Sequence, residues 1–227
     1  MARVRRMISL LLLLALAGGL FLLSRHLPDR WNPFTPIVLT EPPGPFTRMK
    51  LRRLAGEPEL CRAVLAEAGV MVSILPDGSA GEDCPLEDTL RLPGRFEPAR
   101  PLLTCPMAAA WTLYEGQVLR PAAERHFGAD ITRVQHLGTL ACRNVRGGQR
   151  RSQHATANAI DLAAVRLADG RQVSVLRDYG RDTPAGAFLR EARDGACRIF
   201  AAVLGPERDA AHANHFHLDL GRWSACR

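Results

Sequence analysis

The sequence predicts an α+β domain, a mainly antiparallel sheet with flanking helices, stabilised by disulfides. Three observations lead there. Helix-like and strand-like segments are mixed without a regular strand–helix–strand repeat, which disfavours a parallel sheet. Asp169-Gly170 lies between two apolar runs and is a hairpin signal. Six cysteines are dispersed from Cys61 to Cys226, none in C-x-x-C spacing, which suits disulfides better than a thiolate zinc knuckle or a redox pair.

The N-terminus sets the compartment. Arg3, Arg5 and Arg6 precede an apolar run from Met7 to Leu23, and Arg25 follows it. Positive charge ahead of an apolar stretch retains the N-terminus in the cytoplasm and sends the rest across the membrane. Residues 1–25 are therefore expected to anchor a periplasmic or otherwise extracytoplasmic protein in the inner membrane through residues 7–23. A cleaved signal peptide is the alternative, since Ala15-Leu16-Ala17 has a small-x-small form. Residues 26–48 hold Pro28, Pro33, Pro36, Pro42, Pro43 and Pro45, and such a stretch is expected to be an extended spacer. The folded domain should occupy 49–227.

Within the domain, Pro58–Ala68 reads as a short helix stopped by Gly69. Val70–Leu75 reads as a strand and residues 79–100 as irregular. Pro106–Phe127 is helical in pattern, with a break or kink expected at Pro121 and a stop at Gly128. Ile131–Leu137 and Thr139–Arg143 read as strands, followed by a basic loop from Asn144 to Arg151. Ala159–Leu167 and Val173–Leu176 form the predicted hairpin. Thr183-Pro184 has the chemistry of a helix start, and Phe188, Ala192, Ile199 and Val203 mark a buried stripe closed by Gly205-Pro206. His215–Leu220 alternates, with His215, His217 and Asp219 on one side. For the cysteines, pairing of chain neighbours is expected: Cys61 with Cys84, Cys105 with Cys142, Cys197 with Cys226.

The net charge of +7 is carried almost wholly by arginine, Lys50 being the sole lysine. Such a surface attracts acidic wall polymers or lipid headgroups, or is simply a solvated basic face. Aromatic residues make up only 6% of the chain, too few for a base-stacking surface, so no nucleic-acid partner is expected.

The chemistry concentrates in two clusters, Ser152-Gln153-His154 to Asp161 and His212-Ala213-Asn214-His215-Phe216-His217. On a strand, residues two apart point the same way at about 6.5–7 Å. That is too far for His215 and His217 to share one metal at ~2.0–2.1 Å without bending. The spacing suits one ligand, His217, beside one proton-transfer group, His215. Small residues between His154 and Asp161 allow a tight turn that aims both into one pocket. His154, Asp161 and His217 then make a three-ligand Zn2+ site that keeps a position for water. Asp219 shares a face with His217 and is either a partner of that ligand or a strand-end salt bridge. Trp111 and Trp223 read as core or rim packing.

Ser-x-His-(x)6-Asp followed by His-x-x-His-x-His resembles the zinc peptidases that group lysostaphin-type enzymes, D-Ala-D-Ala carboxypeptidases and the hedgehog fold. More closely, the stretch from Cys105-Pro106 through Cys142-Arg143, the His154 cluster, the Cys197–Pro206 helix and the terminal His-Phe-His-Leu-Asp is similar to the extensin-like C-terminal domain family, over roughly residues 50 to 227. The resemblance implies a hedgehog/DD-peptidase-like fold, with His154, Asp161 and His217 as metal ligands, His215 as the catalytic histidine and His212 supporting it. It implies an arginine for the oxyanion, matched loosely by Arg143, with Arg146, Arg150 or Arg151 as alternatives. Two departures stand out. Asn214 occupies the place of a glutamate in the carboxypeptidase branch, and Ala157 that of a glycine. The activity implied is hydrolysis of peptide bonds in bacterial peptidoglycan. A non-catalytic zinc-containing wall-binding or scaffold module is the alternative.

Overall fold

The structure, a computed structural model, describes residues 2–24 and 26–227. Arg25, expected to close the apolar run, lies outside the described residues. A helix runs from Ala2 to Ser24, and its portion Val4–Ser24 is long and apolar enough to cross a membrane, by length and composition. Phe21 on this helix meets Phe34 edge-on at 5.3 Å, and Asn32 donates to the Ser24 carbonyl at 2.8 Å. The proline-rich stretch after it, expected to be a spacer, packs in part on the domain, because Ile37 and Leu39 are buried in the core. Lys50 secures it from below. Its Nζ donates to the carbonyls of Asp29 and Pro36 and to Thr35 Oγ1, at 2.7, 3.2 and 3.1 Å. Burial lowers its pKa, against the pull of Asp29 and Glu41.

Helices Thr47–Leu54 and Pro58–Glu67 follow, the second closed by Gly69 in the left-handed region at φ +75°, where a side chain would be strained. Small strands Ser73–Ile74, Thr89–Arg91 and Leu102–Thr104 pair into a minor sheet. The main sheet has seven strands: β1 (Phe96–Glu97), β2 (Ile131–His136), β3 (Ala159–Leu167), β4 (Gln172–Ser174), β5 (Ala202–Leu204), β6 (Phe216–Asp219) and β7 (Ala225–Cys226). Their order is β7-β5-β6-β3-β2-β1, with β4 also on β3. All pairs are antiparallel except β1–β2 and β5–β7. The α+β class with a mainly antiparallel sheet is thus as expected.

The core lies where the helix beginning at Cys105 meets the sheet. Trp111 packs against Phe96 of β1 at 5.4 Å between ring centroids and against Tyr114 at 5.6 Å. Tyr114 in turn meets Phe200 and donates its hydroxyl to the Ala192 carbonyl on helix Pro184–Ala196. Trp111 is fully buried, so of the pair Trp111 and Trp223 it is the core one and Trp223 the rim one.

Several expectations are corrected. The helix does not break at Pro121. It runs from Cys105 to Phe127 through one widened turn at Glu115–Leu119, which absorbs the missing N–H and the ring clash of the proline. The predicted strand Thr139–Arg143 does not form, although that segment and the residue before it bond to the site: Ala141 N donates to the His154 carbonyl, and the Gly138 carbonyl accepts from Asp161 N. Val70–Leu75 contributes only a two-residue strand, and residues 79–100 contain short strands rather than pure loop. The second hairpin strand ends at Ser174, where Val175–Asp178 turns into a helix. The stripe ending at Val203 is split, because the helix stops at Ala196 and Val203 lies in β5.

Two of three expected disulfides are also overturned. The bonds are Cys61–Cys105, Cys84–Cys142 and Cys197–Cys226. Chain proximity favours neighbours by loop entropy, but docking of helix Pro58–Glu67 against the Cys105 helix brings those two Cα atoms to 6.1 Å. All six cysteines are paired, as in chains that fold in an oxidising compartment.

Candidate metal centre

The register of the central strands builds the site. In the antiparallel pair β3–β6, His217 stands directly opposite Asp161, so both side chains leave the same face of the sheet. The third member arrives from a tight turn, Gln153–Thr156, capped by Ser152, whose Oγ accepts from His154 N at 3.3 Å. Ala157 ends that turn in the left-handed region at φ +55°, the position where a glycine would be unstrained. The chain then enters β3 two residues later.

Three donor atoms converge. His154 Nε2 lies 3.1 Å from Asp161 Oδ1 and 3.1 Å from His217 Nδ1, and His217 Nδ1 lies 2.9 Å from Asp161 Oδ1. His217 Nε2 is 2.9 Å from Asp219 Oδ2, while Asp219 Oδ1 accepts from Gly221 N at 2.7 Å. Asp219 is therefore the partner of His217 rather than a strand-end salt bridge. It accepts a hydrogen bond from Nε2–H and leaves the Nδ1 lone pair facing the other two donors.

Three such electron-rich atoms repel one another unless a cation lies among them. Bonds of ~2.0–2.1 Å at octahedral to tetrahedral angles put donors roughly 2.8–3.4 Å apart, so the donor set fits a divalent ion. In the metal-free protein a proton serves instead. Burial alone would lower the pKa of His217, but its bonds to Asp161 and Asp219 prevail and raise it to about 9. Asp161 is also desolvated, which would raise its pKa, yet the bonds from His154 and His217 hold it well below the usual carboxylate range.

His215 stands beside this triangle, outside it. Its Nε2 lies 3.5 Å from Asp161 Oδ1, and its Nδ1 lies 2.8 Å from Asn214 Oδ1. Burial lowers its pKa, against the attraction of Asp161 and with the help of His212, His217 and His154. A neutral ring with Nδ1–H donated to Asn214 keeps its Nε2 lone pair available. His212 bonds through Nδ1 to Asp209 Oδ1 at 2.7 Å, and its ring lies 5.3 Å from that of His215. That bond holds the Asp209 carboxyl below its usual range. Arg143 is exposed in the wall of the same cleft and bonds to the Asn144 carbonyl. The structure makes no bond between it and the donor atoms. Nor do His126 and His136 bond there: they pair with Glu191 and with the Pro98 carbonyl.

Sequence reasoning missed the part of Asn214, which it registered only as a departure from a glutamate. The signal was adjacency to His215 together with a side-chain carbonyl.

A disulfide-stapled α+β domain with a His–Asp–His donor set, two members on a central strand pair and one on the turn before it, is the class of molecule that the fold and site define. A family model described as Extensin-like protein C-terminus matches residues 59–227, and the chain belongs to that family. No curated protein and no solved structure matches the chain.

Proposed function

We propose that the chain is an extracytoplasmic, zinc-dependent hydrolase of peptide bonds in bacterial peptidoglycan, tethered to the inner membrane by its N-terminal helix. The observation that carries this reading is the triangle of His154 Nε2, Asp161 Oδ1 and His217 Nδ1 with His215 beside it, at the floor of an open cleft of about 1370 Å³. Two imidazoles and one carboxylate are a donor set that catalytic zinc uses. When bound, zinc supplies the Lewis acidity that polarises a scissile carbonyl and acidifies an attacking water.

The chain's own residues do the rest. His154, Asp161 and His217 would hold the ion, with Asp219 fixing the ring of His217. His215, neutral and held by Asn214, would accept a proton at Nε2 and return it to the leaving amine. His212, held by Asp209, would support His215 across the gap between their rings. Arg143 in the cleft wall would neutralise charge developing on the carbonyl oxygen, if substrate draws it inward.

Metal analysis of the purified protein and digestion of purified sacculi test this together. Wild type should carry close to one zinc per chain and release muropeptide products that a chelator abolishes, and His215→Ala should release none while keeping its zinc. Zinc with no product from wild type would make the domain a non-catalytic zinc-containing wall-binding module instead. No metal at all would end both readings.

A further inference from the structure

The walls of the cleft carry charge that the donor set does not use. One wall is a short hairpin arm, Asn144–Arg151. Val145 N donates to the Arg150 carbonyl at 2.9 Å and Gly148 N to the Val145 carbonyl at 3.0 Å, and Ser152 N closes the base onto the Arg143 carbonyl at 3.1 Å. The Cys84–Cys142 bond ties the chain just ahead of that base. The opposite wall is the loop after β6, with Arg222 and Trp223, the latter 70% exposed. The two walls meet: the guanidinium of Arg150 lies over the Trp223 ring at 5.5 Å.

Arg146, Arg150, Arg222 and Arg227 line this cleft and, among the described residues, none forms an ion pair. Arg151 pairs at 3.5 Å with Asp83, which is outside the cleft. The acidic residues within are already engaged, Asp161 and Asp219 with His217 and Asp209 with His212. Free guanidinium groups gathered around a concave site repel one another, and they favour a ligand that brings carboxylates or phosphates to their planar donor forks. A single exposed ring in the cleft is not the run of stacking platforms a polynucleotide uses.

We infer that the hairpin arm and the Trp223 loop form a two-sided clamp for an acidic peptide, Arg146 and Arg150 from one wall and Arg222 from the other gripping its free carboxylates. The Arg150–Trp223 contact closes the mouth of the cleft and opens as the peptide enters. Only the choice of a peptide over another polyanion rests on the hydrolase reading. The clamp itself needs neither metal nor turnover.

The test is binding of a pentapeptide with three free carboxylates, and of its fully amidated counterpart, to the detergent-solubilised full-length protein with chelator present. Calorimetry gives the affinities and tryptophan emission reports the Trp223 contact. The acidic peptide should bind at least tenfold more tightly, with a salt-dependent affinity. Arg150→Gln/Arg222→Gln should remove that preference, and Trp223→Phe should remove the emission change. Equal or undetectable binding of the two peptides overturns the clamp, as does unchanged binding by the double variant. A polyphosphate of equal charge that binds more tightly overturns the peptide assignment. If the acidic peptide binds as stated and zinc-loaded protein still releases nothing from sacculi, the hydrolase reading falls and the clamp stands.

Discussion

Asp219 is the side chain by which the metal reading is most sharply tested, because it reaches the donor set only through His217. Its two oxygens are both committed, Oδ2 to His217 Nε2 at 2.9 Å and Oδ1 to Gly221 N at 2.7 Å. Asp219→Asn keeps the shape and removes one acceptor. If the amide oxygen keeps His217, the amide nitrogen faces the Gly221 N–H, donor against donor. If it keeps Gly221, the amide nitrogen faces His217 and favours a proton on Nδ1, the atom that should face the ion. Either way the ligand loses its orientation or its basicity. Losses of this kind typically weaken metal binding about 10–100-fold, or roughly 1.4–2.7 kcal/mol. Competition of purified protein with a chromophoric zinc chelator measures this directly, and a melting curve of the metal-free variant controls for folding. Wild-type zinc affinity in a folded Asp219→Asn protein would refute the assignment of His217 Nδ1 as a ligand atom.

Other outcomes follow from the same structure. The metal-free protein should lose stability as pH rises. The raised pKa of His217 contributes stability that is complete below the unfolded value near 6.5 and lost as pH passes about 9, roughly 3 kcal/mol at most. Denaturant curves from pH 6 to 10 in chelator should show the decline, and a flat profile contradicts it. Ala157→Gly relieves a left-handed alanine at φ +55° and should stabilise the fold by up to about 1 kcal/mol in urea unfolding. Replacing Cys197 and Cys226 together by serine opens a bond of sequence separation 29. Chain entropy then predicts a loss of about 3–4 kcal/mol, read as a lower denaturant midpoint.

What could be read in the sequence was whatever depends on short spacing. The alternation His215, His217, Asp219 is local, so β6 and its face were legible, and so was the turn from Ser152 to Asp161. The hairpin at Asp169-Gly170 was legible because two residues decide it. Contacts between distant segments were not. Nothing in the neighbourhood of Cys61 says that its helix docks on the one beginning at Cys105, so entropy suggested the wrong partner. Pro121 was read as a point of break or kink because the helix rule is local. The compensating wide turn carries Val118 and Leu119, both buried against the rest of the core. Ile37 and Leu39 were hidden among prolines, and only tertiary packing makes them core residues.

The division of labour in the site follows from where each residue sits. Asp161 and His217 stand opposite one another on the two central strands, whose ladder bonds fix their spacing regardless of what lies in the cleft. His154 comes from a turn, but that turn is pinned from three sides: by the Ser152 cap, by Ala141 N on the His154 carbonyl, and by Thr104 N on the Ala157 carbonyl. The donor triangle is therefore rigid before any ion arrives, which reduces the cost of binding one. The arginines have the opposite setting, on an arm and a loop joined across the cleft only by Arg150 and Trp223. On the proposed reading, rigid donors beneath movable charge would let one scaffold hold a metal while admitting an acidic peptide. For that reason substitutions in the arm should alter which wall fragments bind, whereas substitutions on β3 and β6 should alter whether metal binds at all.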